Sequence, residues 1–411
     1  MQKVLFIGVH WPEPSTGAGT RIMQLIKVFL SANYQVIFAS SASESDLSYP
    51  LEDYKIKKVL ITLNSVSFDA FITDLQPNLV VFDRFLTEEQ FGWRVAENAP
   101  KAVQILDTED LHSLRAVRFE AFKKNIPFSI DLWMENDISK REIASIYRCD
   151  VSLIISSYEM LLLKDTVKLD VSLLHYLPFM VESLSKEVID SHPDFEDRKD
   201  FIFIGNGKHK PNIDAIIWLK NVLWPLIKKQ LPESNVHIYG AYLPQQILQM
   251  HQPKDGFHIL GYAADLKIIF STARVNLAPL RFGAGQKGKL VDAMRFGTPS
   301  ITTSIGVEGM TNGLPFNGLV TDDELEFANA AVALYTSKTE FLSAQQNGYK
   351  TLRVNFEITE LSKKLLEKII EIQQDLQLHR NKNFIGSLLR HQTLQSTKYL
   401  AKWIEEKNRA T

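Results

Sequence analysis

Residues 279–310 read PLRFGAGQKGKLVDAMRFGTPSITTSIGVEGM, and the rest of the chain is best interpreted outward from this segment. An apolar run, VNLA, precedes it, and its second half has helical spacing. Three glycines occur within six residues with two lysines among them, namely Gly283, Gly285, Gly288, Lys287 and Lys289. Glycines let backbone N–H groups approach an anion closely, and a helix N-terminus adds partial positive charge. The segment therefore predicts a phosphate-binding loop at the start of a helix.

The letters GAGQKG also match the G-x-G-x-x-G pattern of dinucleotide-binding proteins. In that fold the first glycine directly follows the first strand, whereas here Leu280, Arg281 and Phe282 intervene and the segment lies late in the chain. Glu308 has the spacing of a ribose-binding acid, but it is expected in a loop. A dinucleotide site stays a minor alternative, as does a structural turn with solvated lysines.

The composition is that of a globular protein. The 411 residues are too many for one ordinary core, so two domains are expected. A net charge of −2 gives no reason to expect nucleic-acid binding. The single cysteine, Cys149, fits a reducing compartment. The N-terminal segment is typical of a first strand, and no apolar stretch approaches the ~20 residues that span a bilayer. These features predict a soluble cytoplasmic protein.

Apolar runs of strand length alternate with helical spacing along most of the chain. In the first half these runs are KVLFIGV, YQVIFAS, NLVVFD, AVQILD and VSLIIS. Residues 181–200 are polar and aperiodic, and the alternation then restarts with FIFIG, NVHIYG, VNLAP and PSITTS. Such a series predicts parallel sheets covered by helices on both faces. We expect two doubly wound α/β domains, residues 1–180 and 201–375, joined by a linker at 181–200.

Residues 376–411 differ from the rest. They contain seven Lys/Arg and two Glu, a charge of +5 that leaves −7 for the remainder. Their apolar residues fall at roughly helical spacing, which is a basic amphipathic pattern. The favoured expectation is a tail that crosses back and packs on the N-terminal domain. The alternative is peripheral contact with an anionic membrane.

The opening segment resembles the donor-binding core of the retaining glycosyltransferases of family 4, also called group 1, which have the GT-B fold. One branch of that family reads approximately aPlr-GaG-K-K-lEAma-G-PvVaT-G-eGl, and APLRFGAGQKGKLVDAMRFGTPSITTSIGVEGM follows it almost throughout. FIGNGKHKPNIDAIIWLKNVLWPLI, PSTGAGTRIMQL and ILDTEDLHSLRAVR are similar to other family segments. The resemblance covers most of residues 1–370 and is strongest over 201–310. It implies two Rossmann-like domains that face a central cleft.

The resemblance also implies how a substrate binds. A nucleoside diphosphate sugar, as UDP- or GDP-sugar, would bind mainly to the second domain, without an obligatory metal or other cofactor. Lys287 and Lys289 match the basic pair that contacts the diphosphate, in a loop with Gly283 and Gly285. Asp292 matches the acid that binds the ribose.

Some positions depart from the family pattern. Ala284 replaces a glutamate that contacts the donor sugar in relatives, which puts the sugar-binding mode in doubt. Asn206 and Asn212 replace an arginine and a lysine that bind the diphosphate. Their charge would come from Lys287 and Lys289, with Lys208 or Lys210 as further candidates.

In the first domain, Gly17 and Gly19 precede a helix and suggest a second backbone anion site across the cleft. Asp110 and His112 follow the strand AVQILD, at the edge where ligands bind in parallel sheets. They are the predicted catalytic residues, lining the acceptor side. His112 is not assigned as a general base, since in retaining transfer of this class the leaving phosphate takes the acceptor's proton.

The leading hypothesis is thus a glycosyltransferase acting with retention on a glycan, lipid-linked or protein acceptor. Two alternatives stay open. One is a nucleotide-sugar epimerase, which needs several acid and base groups in the cleft. The other is a GT-B binding or scaffold subunit that has lost catalysis, a possibility that Ala284, Asn206 and Asn212 keep open.

Overall fold

The structure, a computed structural model, describes residues 1–409, apart from the side chains of residues 392–395, 408 and 409. The first domain is built on a seven-stranded parallel sheet in the order β3-β2-β1-β4-β5-β6-β7. Its strands are β1 (Lys3–Gly8), β2 (Gln35–Ser40), β3 (Lys57–Leu60), β4 (Leu79–Asp83), β5 (Val103–Asp107), β6 (Val151–Ile154) and β7 (Leu174–Tyr176). Its helices are α1 (Gly17–Ser31), α2 (Val66–Leu75), α3 (Arg84–Asn98), α4 (His112–Lys123), α5 (Ile130–Glu135), α6 (Asp137–Arg148) and α7 (Ser157–Leu161).

The apolar runs of this domain form its central strands. β4 and β5 are buried along their whole length, because helices cover both faces of the sheet. Alternate residues of β1 feed two separate cores, Leu5 and Ile7 on one face, Val4 and Phe6 on the other.

The second domain repeats this plan with a six-stranded parallel sheet in the order β10-β9-β8-β11-β12-β13. Its strands are β8 (Lys199–Ile204), β9 (Val236–Tyr239), β10 (Phe257–Gly261), β11 (Ala273–Ala278), β12 (Ser300–Thr302) and β13 (Gly318–Val320). The helices of this half are α8 (Lys186–Asp190), α9 (Lys210–Trp218), α10 (Trp224–Gln230), α11 (Gln245–Leu248), α12 (Leu266–Thr272), α13 (Gly288–Arg295), α14 (Ser304–Val307), α15 (Glu324–Thr336) and α16 (Lys338–Asn355). The expected fold class, two doubly wound α/β domains, is confirmed.

The chain passes between the domains twice, at two adjacent segments. The Val181 N–H donates to Phe356 O at 2.7 Å, and the Ile358 N–H donates to Val181 O at 3.0 Å. After this point α17 (Ile358–Gln374) buries Leu365, Ile369 and Ile372 in the core of the first domain. The expected domain limits therefore need correction, because the chain returns to the first domain at Ile358 instead of after 375, and β8 already begins at Lys199.

The tail forms α18 (Leu376–Lys382) and α19 (Phe384–Arg409). Arg380 bonds Asp150, and α19 packs against α3 and α6, so the tail lies on the first domain. No helix within residues 1–409 is both long enough and apolar enough to cross a bilayer.

Candidate active site

The carboxyl ends of the two sheets face each other across a cleft with a volume of about 620 Å³. Residues that follow β1, β4 and β5 form one wall, and residues that follow β8 and β11 form the other. This is the edge at which parallel α/β sheets bind ligands.

Lys287 and Lys289 both line the cleft at the start of α13. Lys287 is the N-cap residue, and its Nζ donates to Ala284 O at 3.0 Å and to Gly285 O at 2.7 Å. Lys289 Nζ donates to Asn212 Oδ1 at 2.8 Å and lies 4.2 Å from the centre of the Phe203 ring. Neither ammonium group makes an ion pair within 4.0 Å among the described residues.

The electrostatic setting of these lysines favours an anionic ligand. Burial lowers the pKa of Lys287 to about 8. Burial, reinforced by the neighbouring Lys287, lowers the pKa of Lys289 to about 7. Two cations at a helix N-terminus also oppose the helix dipole. A diphosphate in the cleft would relieve both costs.

Gly283 and Gly285 do not line the cleft. They lie where the loop before α13 packs against the first domain. Gly283 has φ +156° and its carbonyl accepts from Arg118 Nη1 at 2.9 Å. Gly285 has φ +64° and its N–H donates to Glu159 Oε1 at 2.8 Å. A Cβ on Gly285 would lie 2.6 Å from the Asp110 Cβ. These glycines therefore let the loop pack closely against the first domain.

The glycine loop of the first domain lies in the opposite wall, at the N-terminus of α1. The Gly19 N–H donates to Thr16 Oγ1 at 2.9 Å, and a Cβ on Gly19 would lie 2.1 Å from Glu13 O. A Cβ on Gly17 would meet only Phe179, at 3.9 Å. Gly19 is thus required by the turn, while Gly17 leaves open space at a 15-residue helix N-terminus that faces the cleft.

Asp110 and His112 come together just past β5. Asp110 Oδ1 lies 3.2 Å from His112 Nε2, and Asp110 Oδ2 pairs with Arg115. Burial opposes ionisation of Asp110, but Arg115 and His112 outweigh it and lower its pKa. Burial lowers the pKa of His112 to about 3, so this imidazole is neutral near pH 7.

Asp292 and Ala284 also line the cleft. Asp292 follows Lys289 by three residues on α13, so both occupy one helix face. Burial raises the pKa of Asp292 to about 6. At Ala284 the wall carries a methyl group where relatives are expected to have a carboxylate.

The structure adds a group of charged residues that the motifs did not reveal. Arg84 Nε lies 2.8 Å from Glu109 Oε2 and 3.3 Å from Asp83 Oδ1, at the ends of β4 and β5. Burial raises the pKa of Asp83 and raises that of Glu109 to about 8. One oxygen of each carboxyl group has no hydrogen-bond partner. Arg84 and Glu109 both have positive φ, 71° and 60°, a conformation that is uncommon for non-glycine residues.

Arg21 and His209 are two further cleft residues missed from the sequence. Arg21 Nε bonds Asp107 Oδ1 at 2.8 Å, and its buried Nη2 lacks a partner. Burial lowers the pKa of His209 to about 3. Arg21 lies on α1, which follows β1, and His209 lies just after β8. Ligand-binding residues of parallel sheets occupy such positions, so this placement could have identified both residues from the sequence.

Of the two further lysines proposed to contact the diphosphate, only Lys208 lines the cleft. Lys208 lines the cleft with Nζ 3.5 Å from the Tyr242 ring centre, whereas Lys210 stacks on Phe119 of the first domain at 4.2 Å, outside the cleft lining. Asn206 Nδ2 donates to Ser15 O across the cleft at 3.2 Å, and Asn212 holds Lys289.

Glu308 pairs with the first domain. Its two oxygens accept from Arg118 Nη1 and Nη2 at 2.7 and 2.8 Å. Because both carboxylate oxygens of Glu308 are engaged by Arg118, Glu308 does not fit the ribose-binding role that its spacing from GAGQKG suggested. Among residues 1–409 with described side chains, no group of three or more His, Cys, Asp or Glu residues could hold a metal ion.

Comparison with known proteins agrees with this geometry. Residues 198–337 match the family model described as Glycosyl transferases group 1. Sucrose-phosphate synthase from Thermosynechococcus elongatus is 16% identical with a TM-score of 0.68, covering 90% of this chain and 99% of its own. HepE from Anabaena, in complex with UDP and glucose, is 12% identical with a TM-score of 0.63, covering 90% and 99%. A TarM variant from S. aureus, in complex with Fondaparinux, alpha-GlcNAc-glycerol and UDP, is 10% identical with a TM-score of 0.68, covering 90% and 100%.

A curated protein of Klebsiella pneumoniae, an uncharacterized 44.6 kDa protein in the cps region, is 24% identical over 177 residues. The alignment spans 41% of this chain and 45% of that protein, less than half of either. The two sheets and the cleft define the fold as GT-B, and the second domain is similar to the group 1 glycosyl transferases. Together they support the class of GT-B glycosyltransferases.

Proposed function

We propose that the protein transfers a sugar from a UDP- or GDP-sugar to an acceptor held on the first domain, with retention at the anomeric carbon. The observation that carries this proposal is the pair Lys287 and Lys289. Both lie in a cleft between two sheets, without ion pairs and with lowered pKa values, opposite the N-terminus of α1. This arrangement suits a diphosphate bound by both walls.

In the proposed reaction the bond from the anomeric carbon to the diphosphate oxygen breaks, and the acceptor oxygen bonds to that carbon on the same face. The acceptor's proton passes to the departing diphosphate. Lys287, Lys289 and the α1 N-terminus at Gly17 stabilise the charge that develops. Asp292 accepts hydrogen bonds from the ribose. Because the pKa of His112 is about 3, its imidazole is a weak base near pH 7, so we assign His112 and Asp110 to acceptor positioning.

Structures similar to this chain include complexes with UDP, and one with UDP-glucose, which supports testing uridine nucleotides first. We propose a glycan, a lipid-linked glycan or a protein as acceptor, and no cofactor. The single cysteine, Cys149, is buried and unpaired, which supports a reducing, cytoplasmic location.

The test has two stages. Thermal shift with a panel of UDP- and GDP-sugars identifies the donor, since a ligand that binds only the folded state raises apparent stability. Nucleotide release with candidate acceptors then measures transfer, with and without EDTA, and NMR of the product reads the anomeric configuration. Inversion, or activity abolished by EDTA and restored by a metal, would contradict the mechanism. Donor binding without turnover on any acceptor would favour the scaffold alternative.

The group formed by Asp83, Arg84 and Glu109 favours a second candidate, a nucleotide-sugar epimerase. A protonated Glu109 beside Asp83 offers the acid and base groups that the sequence did not reveal. Incubating the donor alone and separating sugar isomers decides this point, because an epimerase needs no acceptor. A new isomer without an acceptor would support the epimerase over the transferase.

A further inference from the structure

Helix α19 has an unusual distribution of side chains. The side that faces the first domain is polar and charged. Arg390 Nε donates to Arg148 O at 2.7 Å, Lys398 pairs with Glu97, and Glu405 pairs with Arg94. Among the side chains of α19 that the structure describes, Ala401 is buried against Trp93, and Leu389 and Ile404 are partly buried. Ion pairs therefore help to hold the helix on the protein.

The opposite side of α19 carries large exposed apolar side chains near both ends of the helix, and Lys402 and Glu406 fall in the same arc. Its six large side chains have 47–72% of their surface accessible: Phe384, Ile385, Leu388, Tyr399, Leu400 and Trp403. At 3.6 residues per turn, all of these except Leu400 fall within an arc of about 100°. A helix of a water-soluble domain normally presents its apolar stripe to its own core. Here that stripe, which we call the outer face, points away from the protein.

The charges around the outer face suggest what covers it. Residues 376–411 carry +5 while the remainder of the chain carries −7. Lys382, Lys402 and Lys407 are exposed, and Lys407 Nζ lies 5.4 Å from the Trp403 ring centre. Trp and Tyr prefer the boundary between lipid headgroups and hydrocarbon, and lysines beside them reach anionic headgroups. A helix with apolar and aromatic residues on one side and flanking lysines is the pattern of interfacial helices.

We infer that the outer face of α19 docks on an anionic lipid surface. The helix would lie in the plane of the interface over about 39 Å, with Trp403 and Tyr399 at the level of the headgroups and the first domain held above them. This inference does not depend on the transfer reaction, because binding to lipid can be measured without any substrate.

Flotation of the full chain with vesicles tests the inference. The vesicles are phosphatidylcholine alone, or phosphatidylcholine with phosphatidylglycerol, at low and at high salt. The test variant replaces Leu388, Tyr399 and Trp403 by serine. The matched control replaces Leu248, Leu260 and Ile268, which are exposed on the second domain, by serine.

The wild type and the control are expected to float with the anionic vesicles at low salt and much less at high salt. The test variant should lose about a hundredfold in partitioning, because three large side chains no longer enter the interface. Its melting temperature should stay within a few degrees of the wild type, since these side chains are exposed.

Four results would overturn the inference. The wild type could fail to float, or the test variant could float as the wild type does. The wild type could bind neutral and anionic vesicles equally, which would show that the lysines do not contribute to binding through anionic headgroups. Light scattering could show a dimer of the wild type that the test variant does not form, so that a second copy of the chain covers the outer face.

Discussion

Replacing Lys289 by alanine is expected to abolish useful affinity for the donor while leaving the fold intact. The ammonium group has three donors, and one is occupied by Asn212 Oδ1 at 2.8 Å. The other two are available to phosphate oxygens. A hydrogen bond to a charged group contributes about 1.5–3 kcal/mol, so losing about 3 kcal/mol in total raises Kd roughly a hundredfold.

Although the substitution at Lys289 lowers donor affinity, it should raise the stability of the protein without ligand. The pKa of Lys289 is about 7 in the folded state, against an ordinary value of 10.5. Between these values the unfolded chain binds more protons, so stability rises with pH across that window and the charged amine costs stability below it. Removing the amine relieves this cost, and Lys289→Met, which keeps a chain of similar length against Phe203, relieves it with less loss of packing.

Isothermal titration with UDP and GDP, and thermal unfolding without ligand, give the two quantities. Lys210→Ala is the matched control, since it also removes one lysine and Lys210 stacks on Phe119 outside the cleft. Unchanged nucleotide affinity in Lys289→Ala and Lys289→Met would refute the assignment of the phosphate loop. A fall in affinity matched by unfolding of both variants would show a structural role instead.

Three further predictions follow from the same contacts. Nucleotide affinity should fall as pH rises above about 7 to 8, by up to about tenfold per pH unit for each lysine that loses its proton, because the pKa of Lys289 is about 7 and that of Lys287 about 8. Calorimetry in buffers of different ionisation enthalpy should detect proton uptake on binding, and a flat profile from about pH 7 to 9 would contradict this. Gly285→Ala should lower the free energy of unfolding by at least about 1 kcal/mol and reduce transfer, since alanine would have to adopt a positive φ and its Cβ would lie 2.6 Å from the Asp110 Cβ. Chemical denaturation measures the change, and a variant as stable as the wild type would count against this reasoning. Arg118→Ala should let the two domains move apart, because it removes the Arg118–Glu308 ion pair between them, and breaking a buried ion pair costs about 3–5 kcal/mol. Small-angle scattering should then show a larger radius of gyration. An unchanged radius would show that other contacts are sufficient to hold the domains together.

The central strands were predicted from the sequence because a strand buried on both faces is a continuous apolar run. Four strands, β3, β7, β10 and β13, were missed. They are the edge strands of the two sheets, are three to five residues long and are partly exposed, so they lack that run. Residues 358–374, which form helix α17, were assigned to the second domain, whereas the helix packs in the core of the first. Sequence spacing can show that one side of a helix is buried, but it does not show which domain buries it.

The candidate site divides in the same way. Lys287, Lys289 and Asp292 were predicted because they stand in one local segment that resembles the family motif, and the structure places all three in the cleft. The group formed by Arg84 and Glu109 was missed because its members come from different strand ends and carry no motif.

By itself the sequence determined two βαβ series, a glycine-rich loop with two lysines at a helix start, and a basic tail. These properties rest on backbone freedom, residue period and charge, all of which are local. Only the tertiary structure decided that Gly283 and Gly285 press against the first domain, that Arg118 reaches Glu308 across 190 positions of chain, and that α19 turns its apolar side outward. Such pairings depend on which surfaces fit together when the two domains pack, and residue spacing does not encode that fit.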